Sequence, residues 1–171
     1  MNAPLIASVL GWLLVGLAAI QLVPLAAALS FGERVLPYAA SATAACVVGL
    51  TIALGSHPSD RRMRTRDGFL VVSAAWLIAS AFGSLPYIFT ETLGIVDAIF
   101  ESVAGFTTTG STVITQVEGA PRALLLWRSL TQWLGGMGII LFAVAVMPLL
   151  GVGGMQLSGP RCPARSRTSS P

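Results

Sequence analysis

Five hydroxyl side chains and one glycine crowd the stretch Thr107-Thr108-Thr109-Gly110-Ser111-Thr112. Such a run makes a poor helix and a poor apolar strand, but its backbone carbonyls, held extended, can replace the hydration shell of a cation. Gly110 admits a backbone conformation that turns its carbonyl toward a common axis. The plain alternative is a Thr-rich external loop that binds no ion. Asp97 and Glu101 stand four residues apart, so on a helix they share a face. A paired-carboxylate catalytic site fits that spacing, yet no nucleophile constellation, membrane-embedded histidine or metal spacing surrounds them. Attraction of cations to an outer mouth, or structural pairing, is the expected use, and the sequence reads as neither an enzyme nor a cofactor protein.

The remaining reactive residues are sparse. His57 is the single histidine and sits in His57-Pro58-Ser59-Asp60, a solvated turn. Cys46 lies in an apolar stretch and Cys162 in a polar tail, so neither a disulfide framework nor a metal site is spelled out. Gly135-Gly136-Met137-Gly138 and Gly151-Val152-Gly153-Gly154 superficially look like phosphate loops, but the strand, turn and helix context is missing. Close helix packing is their expected role. Arg128 falls inside an apolar run with Gln132 one turn on. Intramembrane charge is costly without a partner, so Arg128 is expected to pair with Glu101 or Asp97, Glu101 being the deeper. The competing reading is an arginine that snorkels to the outer interface.

The elements that must position these residues follow from composition. Of 171 residues, 54% are hydrophobic and 10% charged, with a mean hydropathy of +0.80; soluble domains carry about 25% charged residues. An ordinary water-soluble globule is excluded. About four helices, each of about 20 apolar residues, fit the length and leave little chain for a separate catalytic domain. Apolar runs extend over 5–30, with Pro24 as a kink, over 36–55, over 68–87, where Gly83 and Pro86 mark loosening and end, and over 123–150. The first two form a hairpin across Gly32-Glu33-Arg34. All ten basic residues are arginine. Arg61, Arg62, Arg64 and Arg66 crowd one loop, with Asp67 among them, and Arg161, Arg165 and Arg167 lie in the tail. They mark cytoplasmic flanks and headgroup contacts with membrane lipids rather than a nucleic-acid surface, since no aromatic residues interleave with them. The N-terminus is then inside, and the connection from Tyr87 to Arg122 outside.

That connection is roughly 35 residues long, where about 2 to 8 is usual between packed helices. Within it Ile95, Val96, Ile99, Phe100, Val103 and Phe106 recur at helical spacing. About eleven helical residues reach about 16 Å, half a bilayer. Non-helical backbone at membrane depth is tolerated only within protein or along a watery cavity, so the hydroxyl run after this helix reads as a re-entrant loop. The C-terminal end of the short helix would aim its partial negative charge at the same place. A span, a short helix, a Thr/Gly loop and a second span make the plan of a potassium-channel pore unit.

The stretches Phe100-Glu101-Ser102-Val103-Ala104-Gly105-Phe106-Thr107-Thr108-Thr109-Gly110-Ser111-Thr112 and Leu126-Trp127-Arg128-Ser129-Leu130-Thr131-Gln132-Trp133-Leu134-Gly135-Gly136-Met137-Gly138-Ile139-Ile140 closely resemble bacterial Trk-type potassium uptake proteins of the Trk/Ktr/HKT superfamily. Met147-Pro148-Leu149-Leu150-Gly151-Val152-Gly153-Gly154-Met155-Gln156 continues the resemblance, which covers about residues 1–157. It implies four repeats of helix, pore loop and helix on one chain, often preceded by two extra helices. The fold is then an all-α polytopic membrane protein, with an N-terminal transmembrane hairpin (1–57), a cytoplasmic Arg-rich loop (58–67), one pore repeat (68–157) and a disordered, atypical tail (158–171). The resemblance implies that Thr107 ends the pore helix and that Thr108, Thr109, Gly110, Ser111 and Thr112 form the first quarter of a potassium filter, with Glu101 and Arg128 as pore-unit support. The implied cargo is potassium, and the implied location is the bacterial inner membrane. The implied partners are the remaining pore repeats or full-length subunit and a cytoplasmic nucleotide-binding regulatory subunit. The Pro-, Ser- and Arg-rich ending does not look like the opening of a second repeat. A truncated, frameshifted or partial chain, inactive alone, is expected. The reading from a different class is a non-conducting helical subunit that packs with other membrane proteins.

Overall fold

A computed structural model describes residues 3–56 and 65–146. His57, Arg61, Arg62, Arg64, Cys162, the end of the fourth apolar run and the whole tail lie outside the described residues. Among the described residues all regular structure is helical: α1 (Ala3–Ile20), α2 (Leu22–Phe31), α3 (Leu36–Gly55), α4 (Thr65–Gly83), α5 (Leu85–Phe89), α6 (Ile95–Phe106) and α7 (Arg122–Val146), with one 3₁₀ turn at Val117–Gly119.

The first apolar run bends where Pro24 requires it. Proline has no N–H for the carbonyl four residues back and its ring crowds that carbonyl, so the break falls at Gln21, between α1 and α2. The amide of Gln21 still bonds Leu17 O at 3.0 Å and Leu25 N bonds Gln21 O at 3.3 Å, and α1 and α2 together make one apolar stretch over Ala3–Phe31. Gly32, at a φ of 69°, closes α2. The hairpin with α3 is then zipped by small residues. A Cβ added to Gly11 would lie 2.6 Å from the amide of Ala53, and one on Gly49 would lie 2.9 Å from the Gly11 carbonyl. Backbone therefore meets backbone, and Ala18, Ala42, Ala45 and Ala53 are buried along the same contact.

Two expected boundaries move. The third span was expected to begin at Gly68, beyond an Arg-rich loop ending at 67; its helix begins at Thr65, so Arg66 and Asp67 belong to the first turn, where an acidic side chain suits the helix dipole. The same span was expected to run unbroken to Tyr87, but it breaks at Ser84 and resumes as α5 with Pro86 in its first turn. Among the described residues three helical stretches, Ala3–Phe31, Leu36–Gly55 and Arg66–Phe89, are long and apolar enough to cross a membrane. The expected fourth forms a helix of 25 described residues, Arg122–Val146; the end of that run lies outside the described residues, and its first half carries the polar Arg122, Arg128, Thr131 and Gln132. Polar residues on a long helix are tolerated where protein satisfies them, and α7 is the helix that backs the short α6.

Candidate filter loop and its supporting ion pair

Helix α6 occupies the predicted residues, with Gly94 before it in extended conformation and Thr107 after it. Three glycines let it sit against its neighbours. A side chain at Gly83 of α4 would strike Phe106 and Ser102, one at Gly105 would strike Thr131 of α7, and one at Gly135 of α7 would overlap the Phe106 carbonyl. That same carbonyl accepts the indole N–H of Trp76 at 3.2 Å. The indole N–H of Trp127, fully buried, reaches the Gly83 carbonyl at 2.9 Å. A tryptophan N–H taken out of water needs an acceptor of this kind; Trp76 ties α4 to the end of α6, and Trp127 ties α7 to the end of α4.

The end of α6 turns on Thr108. Thr108 N donates to Gly105 O at 2.9 Å and Thr109 N to Ala104 O at 3.0 Å, the paired bonds of a Schellman cap with Thr108 in the left-handed position. Its φ is 58°, a conformation that a β-branched residue rarely adopts; its hydroxyl compensates by donating to Thr107 O at 2.7 Å. The Val103 carbonyl takes both the amide and the hydroxyl of Thr107. Each of the carbonyls from Val103 to Phe106 therefore has a donor. Beyond the cap the chain is non-helical, and Gly110 has a φ of 78° with open space where a Cβ would stand. Thr107 through Thr112 are all exposed on this chain.

Glu101 holds the loop from behind. It is 1% exposed, and its Oε2 accepts the Thr112 hydroxyl and the Val113 amide, each at 3.0 Å. Its Oε1 lies 2.6 Å from Arg128 Nε, and Arg128 Nη2 reaches toward the Gly110 carbonyl at 3.5 Å. Of the two carboxylates offered by the sequence, Arg128 therefore meets Glu101, while Asp97 is exposed in the first turn of α6. The Arg128 side chain retains 21% exposure, short of an arginine that snorkels free. One carboxylate and one guanidinium thus fix four points of the loop and its flank: Gly110, Thr112, Val113 and helix α7.

The sequence reading missed Glu33. From the α2–α3 connection its Oε1 accepts Arg122 N at 2.7 Å and its Oε2 accepts Ala123 N at 3.1 Å, while the Arg122 guanidinium stands 5.3 Å from the centroid of Phe31. A carboxylate isolated between two apolar spans was the available signal, but its partner lies 89 residues away. Among the described residues no group of His, Cys, Asp and Glu could hold a metal ion.

Comparison with known proteins gives the family. Residues 38–167 match TrkH, described as a cation transport protein. The chain is 41% identical over 160 residues to the Trk system potassium uptake protein TrkH of Halomonas elongata, covering 92% of this chain and 33% of that protein. It is 44% identical over 115 residues to TrkH of Escherichia coli, covering 66% of this chain and 24% of the relative. The crystal structure of the potassium transporter TrkH from Vibrio parahaemolyticus superposes with a TM-score of 0.84 at 35% identity, over 94% of this chain and 34% of that one. The chain spans about a third of the length of these relatives or less. These relatives are transport proteins and not enzymes, and this all-helical membrane chain belongs to the TrkH family of cation transport proteins.

Proposed function

We propose that this chain supplies one pore unit of a Trk-type potassium uptake protein. The observation that carries the reading is the Glu101 carboxylate, which binds the loop at Thr112 and Val113 on one oxygen and Arg128 on the other, behind a short helix whose apolar residues Ile95, Val96, Ile99, Phe100 and Val103 are exposed. Carbonyls of the run Thr108, Thr109, Gly110, Ser111 and Thr112 form a quarter of the filter. Within it Thr108 also turns the chain out of the helix. Because the last α6 carbonyls already have donors, the helix contributes its field rather than a ligand oxygen. Glu101 and Arg128 are the support, and a buried pair of this kind fixes geometry more than it adds stability.

A quarter of a filter needs the other three. The exposed loop and the exposed apolar side of α6 face the remaining pore repeats, and nothing conducts until they are present. The natural setting is the bacterial inner membrane with the N-terminus and the Arg-rich segment inside, surrounded by lipid and served by a cytoplasmic nucleotide-binding regulatory subunit. The relatives' name, Trk system potassium uptake protein, supplies potassium as the cargo. The experiment is complementation of a bacterium lacking potassium uptake. A chimaera carrying residues 38–146 of this chain in place of the matching part of a full-length Trk protein restores growth in low potassium, and the 171-residue chain alone does not. A chimaera that reaches the membrane and still fails to take up potassium contradicts the assignment and favours a packing subunit without a pore.

A further inference from the structure

We infer that Glu33, on the connection within the N-terminal hairpin, is a positioning residue for the filter loop, acting through the register of α7. The first turn of any helix presents N–H groups without intrahelical partners, and an anion there gains from both hydrogen bonds and the helix dipole. For α7 that anion is Glu33, one oxygen on Arg122 N at 2.7 Å and the other on Ala123 N at 3.1 Å. Phe31, two residues before it, lies under the Arg122 guanidinium at 5.3 Å. The end of α2 and the connection that follows it are thereby fastened to the first turn of α7 by a carboxylate fork and a ring.

What α7 carries next makes this more than a cap. Arg128 lies six residues beyond Arg122, about 9 Å along the axis at about 1.5 Å per residue. Its Nε stands 2.6 Å from Glu101 Oε1, and the other Glu101 oxygen holds Thr112 and Val113 at 3.0 Å each. An α-helix is stiff over this distance, so a shift of the first turn of α7 along its axis moves Arg128 with it. Hydrogen bonds of this length tolerate only a few tenths of an ångström before weakening. Helix α2 also packs on α7, and Leu124 and Trp127 are fully buried within that frame. Helix α2 and the connection after it therefore set the height of the arginine that sets the loop. This rests on reading residues 108–112 as the filter, but its test reads only the protein's own amides and so fails or succeeds separately from transport.

Amide hydrogen exchange on the 171-residue chain in nanodiscs provides that test, with Glu33→Gln as the main variant. Glutamine keeps one acceptor oxygen and loses the charge. The expected result is exchange about ten-fold faster at Arg122 and Ala123, the scale of a lost cap, accompanied by faster exchange at Val113, with α3 unchanged. Glu101→Gln serves as the reference for an opened Val113 amide. Acceleration confined to the first turn of α7, with Val113 at its original rate, overturns the inference and leaves Glu33 a local cap. Uniform acceleration through all helices overturns it equally, as a general stability effect. Should Glu33→Gln not fold, Phe31→Leu keeps the carboxylate and removes only the ring. It is expected to give the same pattern at about three-fold, and an unmoved Val113 in that variant counts against the inference.

Discussion

Replacing Arg128 with glutamine strands a carboxylate that is 1% exposed. Glu101 loses the guanidinium 2.6 Å from its Oε1 and keeps only the Thr112 hydroxyl and Val113 amide on Oε2. Removing one partner of a buried pair costs about 3 to 5 kcal/mol, since the remaining charge is left uncompensated. The 21% exposure of the Arg128 side chain and the two surviving donors place this case at the low end, about 3 kcal/mol, or about a hundred-fold in the folded-to-unfolded ratio. Glu101→Gln alone is expected to cost about 2 kcal/mol, because the amide turns a donor toward groups that also donate. With both replaced, no charge is stranded, and the double variant loses about 2 kcal/mol less than the sum of the singles. Equilibrium unfolding in mixed micelles, followed by far-ultraviolet circular dichroism, measures all three. A coupling below about 0.5 kcal/mol, the size found for exposed pairs, refutes the reasoning. Arg128→Lys adds a geometric check, since a point charge reaches Glu101 but does not span to the Gly110 carbonyl, so its stability recovers while the loop amides exchange faster.

The same unfolding assay reads three more substitutions. Gly135→Ala sets a methyl into the Phe106 carbonyl; forcing backbone apart there is expected to cost about 2 kcal/mol, and a neutral result shows that α6 and α7 do not depend on that contact. Gln21→Leu removes an amide that is fully buried with neither end hydrogen-bonded among the described residues, so stability is expected to rise by about 1 to 2 kcal/mol; a loss of that size contradicts the burial argument. Thr108→Gly places the usual cap residue at a φ of 58° and is expected to stabilise by about 1 kcal/mol; destabilisation instead assigns more to the Thr108 hydroxyl than its single bond to Thr107 O.

Hydropathy and periodicity located most elements because those signals are local. Leu36–Gly55 and Ile95–Phe106 appear where the apolar run and the 3.6-residue spacing put them. The displaced break at Gln21 is also legible in retrospect, because Pro24 offers no N–H to the carbonyl of Ile20, four residues back and next to Gln21. Spacing narrowed the partner of Arg128 to two carboxylates and depth favoured Glu101, the one that lies 2.6 Å from Arg128 Nε. Thr108 was unreadable: its left-handed backbone is imposed by the cap geometry on a residue whose type argues against it, while the neighbouring Gly110 drew attention as the natural site for positive φ. Glu33 was hidden for the opposite reason. Its local context is an ordinary polar turn, and its role arises only when the hairpin lies beside the start of α7.

Ion selectivity in the complemented bacterium shows whether the loop around Gly110 selects the ion. With residues 38–146 of this chain placed in a full-length Trk protein, rubidium and sodium uptake are measured with Gly110 intact and with Gly110→Ala. The φ of 78° at Gly110 is strained for a side chain, so alanine is expected to rotate the backbone, loosen the Gly110 carbonyl from Arg128 and displace the carbonyls on either side of it. The predicted result is loss of the preference for rubidium over sodium by at least about ten-fold, about 1.4 kcal/mol, at unchanged protein abundance. An unchanged preference contradicts the account, because the loop would then not form part of the surface that selects the ion.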